Sequence, residues 1–353
     1  MIAIWIPKYS VDIEDPCCYP LGVMYISSVL KRAGFPVTVY NNNLDACDSA
    51  VLSKFEVVLF TGFAETMPAN IEIATKLREQ GVRTILGGAY ATFNTHDAEP
   101  HFDAIVVGEG EKAVFTALML DGVHQSPEVD IDRIPWPDYF GININEYHRR
   151  HTVRYMGVLA SRGCPHSCTF CSSVCRYRTR SLSAVKNEIS FYKSVYDIDT
   201  VVVNDNTLNA TPHRLADFSQ MMMPMGLRWS AALRMDNLDR ESLVMAKRSG
   251  LCYTVVGVES FDQSKLDGYN KRITVEQVRT GLGLLMELEI NYTGNILVET
   301  EEEFYDAIPD AHKYWLYPTG MKKFAGNATQ DAPPRVHDLC RDYSVKRSRT
   351  YGA

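Results

Sequence analysis

The sequence predicts an α/β protein made of two successive βα series. Short β-branched runs alternate with helical stretches up to about residue 317, and the alternation lapses once, over 121–146, where periodicity gives way to Pro127, Pro135 and Pro137. A chain of 353 residues that is 46% hydrophobic can bury two ordinary cores. The expected organisation is a doubly wound parallel sheet over 1–125, a linker over 126–153, a second βα unit over 154–320 and a short polar tail over 321–353.

In the first series, 2–6 reads as a strand and 22–33 as a helix, with Val23, Ile26, Val29 and Leu30 on one face and Gly34 as its stop. Strands at 37–40, 57–60, 84–86 and 104–107 follow, with helices near 45–54 and 70–80. Such a sheet offers a ligand crevice at the carboxyl ends of its strands. The tips there are 7–20, 61–65, 87–90 and 108–111. The second series reads as strands at 155–160, 200–204, 228–232, 253–258 and 292–298, with helices at 181–196, 212–223, 239–249 and 274–288. A helix from about Glu301 and a weaker strand at 315–317 would make six repeats.

A net charge of -7 gives no footprint for a phosphate backbone, which argues against a dedicated nucleic-acid binder. The longest apolar run at the N-terminus, 2–7, is far short of the ~20 residues of a spanning helix, and no signal-peptide order precedes it. A soluble, cytoplasmic chain without membrane contact is expected. Four of the nine cysteines fall between Cys164 and Cys175, which suits metal or redox chemistry in a reducing compartment.

Cys164, Cys168 and Cys171 form Cys-x-x-x-Cys-x-x-Cys directly after the first strand of the second series. Three thiolates from one tight loop can ligate three irons of a cubane and leave the fourth iron open to a chelating substrate. The competing assignment is a closed zinc site with Cys175 as fourth ligand. Zinc ribbons, however, usually pair two short knuckles that lie far apart in sequence.

SRGCPHSCTFCSS resembles the signature of the radical S-adenosylmethionine (SAM) enzymes. RTRSLSAVKNEISFY, VVVNDNTLNATPHR, RWSAALRMDNLD and GVESFDQSKLDGYNKRIT follow in the order seen in the subgroup with an N-terminal cobalamin-binding fold, the class B methyltransferase-like subgroup. YPLGVMYISSVLKRAGFPVTVYNNN and ILGGAYATFNTHDAEPHFDAIVVGEGE resemble that fold itself. The resemblance covers about 1–317 and implies a Rossmann-like cobalamin-binding domain followed by a partial (β/α)6 radical SAM barrel. It also implies a [4Fe-4S] cluster on Cys164, Cys168 and Cys171, cleavage of SAM to a 5'-deoxyadenosyl radical, and an external electron donor such as flavodoxin or ferredoxin.

Site roles follow from the same resemblance. Phe170 would pack near the adenine, or simply fold the loop. Asp205 matches one of two acidic residues that face SAM or substrate, while Asn204 departs from the second. Arg234 is a candidate partner for the SAM carboxylate, since guanidinium binds carboxylate through two parallel hydrogen bonds. Glu259 and Ser260 end a strand where ribose hydroxyls would bind. For cobalamin, Thr61, Gly62, Gly87, Gly88, Gly108 and Gly110 lie on the tips, with Tyr90 and Cys17 as further contacts. Alternatively these glycines only turn the chain. No Asp-x-His-x-x-Gly stretch occurs, so no axial histidine is identifiable and cobalt is expected to sit without one, facing the cluster.

Two departures bear on substrate. NYTGNILVETEEEF keeps only Glu299 and Thr300 of the family's Gly-Leu-Pro-Gly-Glu-Thr loop. Little chain follows Gly320, where the subgroup usually has a further domain. The tail carries Lys322, Lys323, Arg335, Arg341, Lys346, Arg347 and Arg349 against Asp331, Asp338 and Asp342, a cationic excess suited to an anionic or macromolecular substrate, or else to a frayed terminus. Cobalamin-dependent methyl transfer to an unactivated carbon is the leading expectation. A radical isomerase, cyclase or rearrangement enzyme is the second, and a non-catalytic iron-sulfur or cobalamin carrier the third.

Overall fold

The computed structural model describes residues 1–8, 20–44, 47–150, 154–173, 175–320 and 333–351. They divide into two compact units, Met1–Gly157 and Val158–Ala353. The first holds strands β1 (Ile2–Ile6), β2 (Val37–Asn41), β3 (Val57–Phe60), β4 (Arg83–Leu86), β5 (Ala104–Val107) and β6 (Gly122–Gln125). All pair in parallel, in the order β2-β1-β3-β4-β5-β6. The order reverses between β1 and β3, and at such a switch point the flanking loops part to leave a crevice. Alternation along the strands feeds two cores. Trp5, Phe60, Leu77 and Phe102 pack on one face, and Ile4, Leu30, Ile85 and Val114 on the other.

The expected linker is not a free one. β6 begins inside the proline-bearing stretch as a sixth parallel strand, and Val129, Ile131, Tyr139, Ile142, Ile144 and Tyr147 are buried. Polar anchors fix this wrap to the first unit. The Val129 N–H donates to Glu109 at 2.8 Å, and Asp138 accepts from Ser27 at 2.5 Å and Lys31 at 2.6 Å. Up to Ile142 the segment is irregular and its burial has no regular period, so periodicity could not reveal it; the helix Ile144–Arg150 then buries Ile144 and Tyr147.

The second sheet contains β7 (Tyr155–Val158), which spans the division between the units. Next in sequence come a two-residue ribbon, β8 (Ser161–Arg162) and β9 (Arg178–Thr179), and then β10 (Thr200–Val203), β11 (Arg228–Arg234), β12 (Leu251–Glu259), β13 (Asn291–Val298) and β14 (Tyr317–Gly320). The six main strands run β14-β13-β12-β11-β10-β7, each beside its sequence neighbour, as a partial (β/α)6 arrangement requires. Intervening helices start on side-chain caps: Ser181, Asp239 and Thr300 each accept an N–H of the first turn, and Thr274 forms a capping box with Gln277.

The expected polar tail contains a helix, Pro334–Tyr351, that packs on β14 and on helix Glu301–Lys313. Val336 and Cys340 are buried, Tyr343 meets Phe304 edge-on and Arg335 pairs with Glu301 at 2.9 Å. It forms the helix of the sixth repeat. Lys322, Lys323 and Asp331 lie outside the described residues, as do Cys17 and most of the 7–20 tip. Among the described residues no helix is long and apolar enough to cross a membrane.

Candidate cluster and cofactor site

The three-cysteine loop leaves β8 and returns through β9, and the pairs Ser161 with Thr179 and Arg162 with Arg178 close it at the base. Gly163 makes the closure possible. Its φ is +79°, and a Cβ there would lie 2.4 Å from the carbonyl oxygens of both Cys175 and Arg176. The loop's far side is held by 269–272. The Thr169 N–H donates to the Tyr269 carbonyl at 2.9 Å, and Asn270 Nδ2 donates to Ser167 O and Oγ at 2.9 Å each. Phe170 stands edge-on to Tyr269 with centroids 5.6 Å apart. Asn270 and Arg272 take positive φ, 51° and 57°, which bends this strap around the loop.

Burial pushes the Cys164 thiol up, while the His166 N–H and the Arg234 charge oppose the shift, and Cys171 and Cys168 lie near enough to raise it further. His166 Nε2 is buried without a hydrogen-bond partner. Among the described residues no three His, Cys, Asp or Glu side chains converge on a single-ion site. Three thiols on one short clasped loop, with Cys168 and Cys171 near enough to act on Cys164, are a donor set of the kind that binds three irons of a cubane.

Two buried ion pairs flank the loop. Arg234, 5% exposed at the end of β11, forks onto Asp236 through Nε and Nη2 at 2.9 Å each and donates from Nη2 to the Lys271 carbonyl at 2.8 Å. Its Nη1 faces Cys168 Sγ at 4.0 Å. Glu259 ends β12 at φ +66° and binds Lys271 Nζ at 2.6 Å. That ammonium also lies 5.6 Å over the Phe170 ring. Ser260 is buried, and its Oγ accepts from the Asp262 N–H. The structure thus gathers Phe170, Arg234, Glu259 and Ser260 at one end of the sheet, but Arg234 and Glu259 already hold partners.

Asp205 serves the root of the loop. It accepts from the Ala160 N–H at 2.7 Å and the Ser161 hydroxyl at 2.6 Å, and burial raises its carboxyl to about 6. Each oxygen thus holds one hydrogen bond at the root of the loop. Arg214 Nη2 ties the Ala160 and Arg180 carbonyls together, and Arg180 pairs with the fully buried Glu188 at 2.6 Å.

The tips of the first sheet are built from backbone. Gly88 has φ +91°, and a Cβ there would meet Thr61 Oγ1 at 2.9 Å. Gly108, at φ +73°, donates its N–H to Thr92 at 3.0 Å. Gly62 and Gly110 make room for the protein itself: a Cβ at Gly62 would strike Thr66 and Asn70, and one at Gly110 would strike Ile26. Gly87 has only Val106 near, at 3.8 Å, and Tyr90 is half-buried in the short helix Ala89–Phe93. Of the seven expected cobalamin contacts among the described residues, Gly87, Gly88 and Thr61 fit close approach of a flat ligand best.

A model of the B12 binding domain matches residues 15–118. Over 338 residues the chain is 28% identical to an uncharacterized methyltransferase of Pyrococcus horikoshii, covering 83% of this chain and 73% of that protein. Over 357 residues it is 25% identical to an anaerobic magnesium-protoporphyrin IX monomethyl ester cyclase of Cereibacter sphaeroides, covering 84% and 58%. The radical SAM methyltransferase TsrM of Kitasatospora setae, solved with a SAM analogue, has the same fold: TM-score 0.73 at 17% identity, over 92% of this chain and 73% of TsrM. The chain thus carries a B12 binding domain match over 15–118 and shares its fold with TsrM. It spans 58% and 73% of the two curated relatives' lengths.

Sequence reasoning missed Lys271, Asp236, Asn270 and Arg214. All four sit in or beside the strings RMDN, GYNKR and TPHR that carry the resemblance. The adjacent pair Asn270 and Lys271, in the string that follows Glu259, was the available signal.

Proposed function

We propose that this chain is a cobalamin-dependent radical SAM methyltransferase acting on an unactivated carbon. The carrying observation is the three-cysteine loop, clasped by β8 and β9 and strapped by 269–272, in a chain whose other unit matches a B12 binding domain. When bound, the [4Fe-4S] cluster and SAM supply reductive cleavage to a 5'-deoxyadenosyl radical, and cobalamin supplies the methyl group. Cys164, Cys168 and Cys171 would hold three irons. Phe170 offers a ring to the adenine, and Ser260 and the Glu259–Lys271 pair offer polar groups to the ribose. Asp205 and Arg214 keep the loop root fixed, and Gly87, Gly88 and Thr61 receive the corrin. An external donor of the flavodoxin or ferredoxin type would deliver the electron.

The cyclase relative favours a second reading, oxidative rearrangement or cyclisation on the same fold. Anaerobic reconstitution with reductant and SAM, with and without cobalamin, tests both. Methyl transfer predicts 5'-deoxyadenosine together with cobalamin-dependent S-adenosylhomocysteine. Rearrangement predicts 5'-deoxyadenosine alone. A carrier predicts neither.

A further inference from the structure

The guanidinium of Arg234 has little left to give a SAM carboxylate. Nε and Nη2 are forked on Asp236, Nη2 is shared with the Lys271 carbonyl, and only Nη1 remains, pointing at Cys168 Sγ 4.0 Å away. A forked grip on a new carboxylate through Nε and Nη2 would require abandoning Asp236, which is itself only 16% exposed, and leaving that carboxylate unpaired. Lys271, the other buried cation at this end, is held by Glu259 at 2.6 Å.

We propose that Arg234 is a positioning residue that steadies the Cys168 thiolate and raises the reduction potential of the cluster ligated there, in place of binding the SAM carboxylate. The proposal rests on the functional reading above. Reduction adds one negative charge to the cluster, and cluster potentials follow net charge and hydrogen bonds to the sulfurs. A fixed cation with an N–H aimed at sulfur favours the reduced form. Asp236 orients that cation and offsets part of its charge. Removing the two partners therefore has opposite consequences.

The test is a reductive titration of cluster-loaded, full-length protein without SAM, followed by visible absorbance and electron paramagnetic resonance. Arg234→Gln should move the midpoint to more negative potential, and Asp236→Asn to more positive potential. SAM affinity of the cluster-loaded Arg234→Gln protein should stay close to wild type. A general disturbance of the loop would move both variants in one direction, and that result overturns the proposal. An unchanged midpoint with lost SAM binding also overturns it and returns Arg234 to the carboxylate. If Arg234→Gln retains no iron, Asp236→Asn decides alone, and only a positive shift supports the proposal. Wild-type protein that takes up no cluster removes the functional reading itself, and is recognised by the absence of iron in every variant.

Discussion

At the carboxyl ends of the first sheet the loops are shaped by missing side chains, Gly87, Gly88 and Gly108, and by neutral hydroxyls such as Thr61 and Thr92. At the same ends of the second sheet they are held by buried charge: Arg234 with Asp236, Lys271 with Glu259, Arg180 with Glu188, and Asp205 on the loop root. A large flat ligand with its own chemistry needs room and close backbone approach. A small thiol loop needs fixed geometry and compensated charge, because an unpaired buried charge costs several kcal/mol. Glycine serves both units differently. A Cβ at Gly87 would meet only Val106, at 3.8 Å, whereas one at Gly163 would strike the chain itself.

The largest effect should come from Cys164→Ala, Cys168→Ala or Cys171→Ala. Each is expected to lower iron from about four per chain to near none and to abolish 5'-deoxyadenosine formation. Gly163→Ala comes next. Its Cβ would collide with two carbonyl oxygens at a strained φ, a cost of about 2–4 kcal/mol by the combined scale of overpacking and backbone strain, read as a lower denaturation midpoint and reduced iron.

Asp205→Asn should act through pH. The folded state holds this proton more tightly than the unfolded chain, because burial raises the carboxyl from 3.8 to about 6. Wild-type stability therefore falls as pH rises from about 4 to about 6, by roughly 3 kcal/mol at 1.36 kcal/mol per unit. Denaturant midpoints of the variant should lose that part of the slope and keep the part due to Glu188, whose carboxyl is also raised by burial. In the first unit, Gly87→Leu should leave the melting temperature nearly unchanged, since only Val106 is near, and reduce cobalamin retention several-fold by equilibrium dialysis. Retention at the wild-type level would mean that the tip does not face the corrin. Cys175→Ala is the smallest: iron content should not change, because the backbone carbonyl of Cys175 is what packs against Gly163. Loss of iron there would make Cys175 a fourth ligand and overturn the three-cysteine assignment.

Sequence carried the features that covalent spacing or regular periodicity encode. Strands Ile2–Ile6, Val57–Phe60 and Ala104–Val107 fall where β-branched runs put them, and the cysteine spacing marks the loop. Where burial is aperiodic the sequence is silent, as at Val129, Ile131 and Tyr139. The C-terminal helix hides for a related reason, since its inward stripe is little more than Val336, Cys340 and Tyr343 among charges. The pairing of Arg234 with Asp236 was adjacent in the text but legible only in space. Arg234 alone looks available, and the neighbour two positions on is what occupies it.

The strap that shapes the cysteine loop is distant in sequence. Asn270 grips Ser167 across 103 residues, so the thiols reach their arrangement only after four intervening strands and helices have been made and docked. Such long-range contacts are a feature of the folded chain. If a cluster is assembled on these thiols, the spacing that receives it exists only once 269–272 has docked on the loop. A nascent or partly folded protein would offer the same three thiols without their spacing, open to mispaired metal or to oxidation.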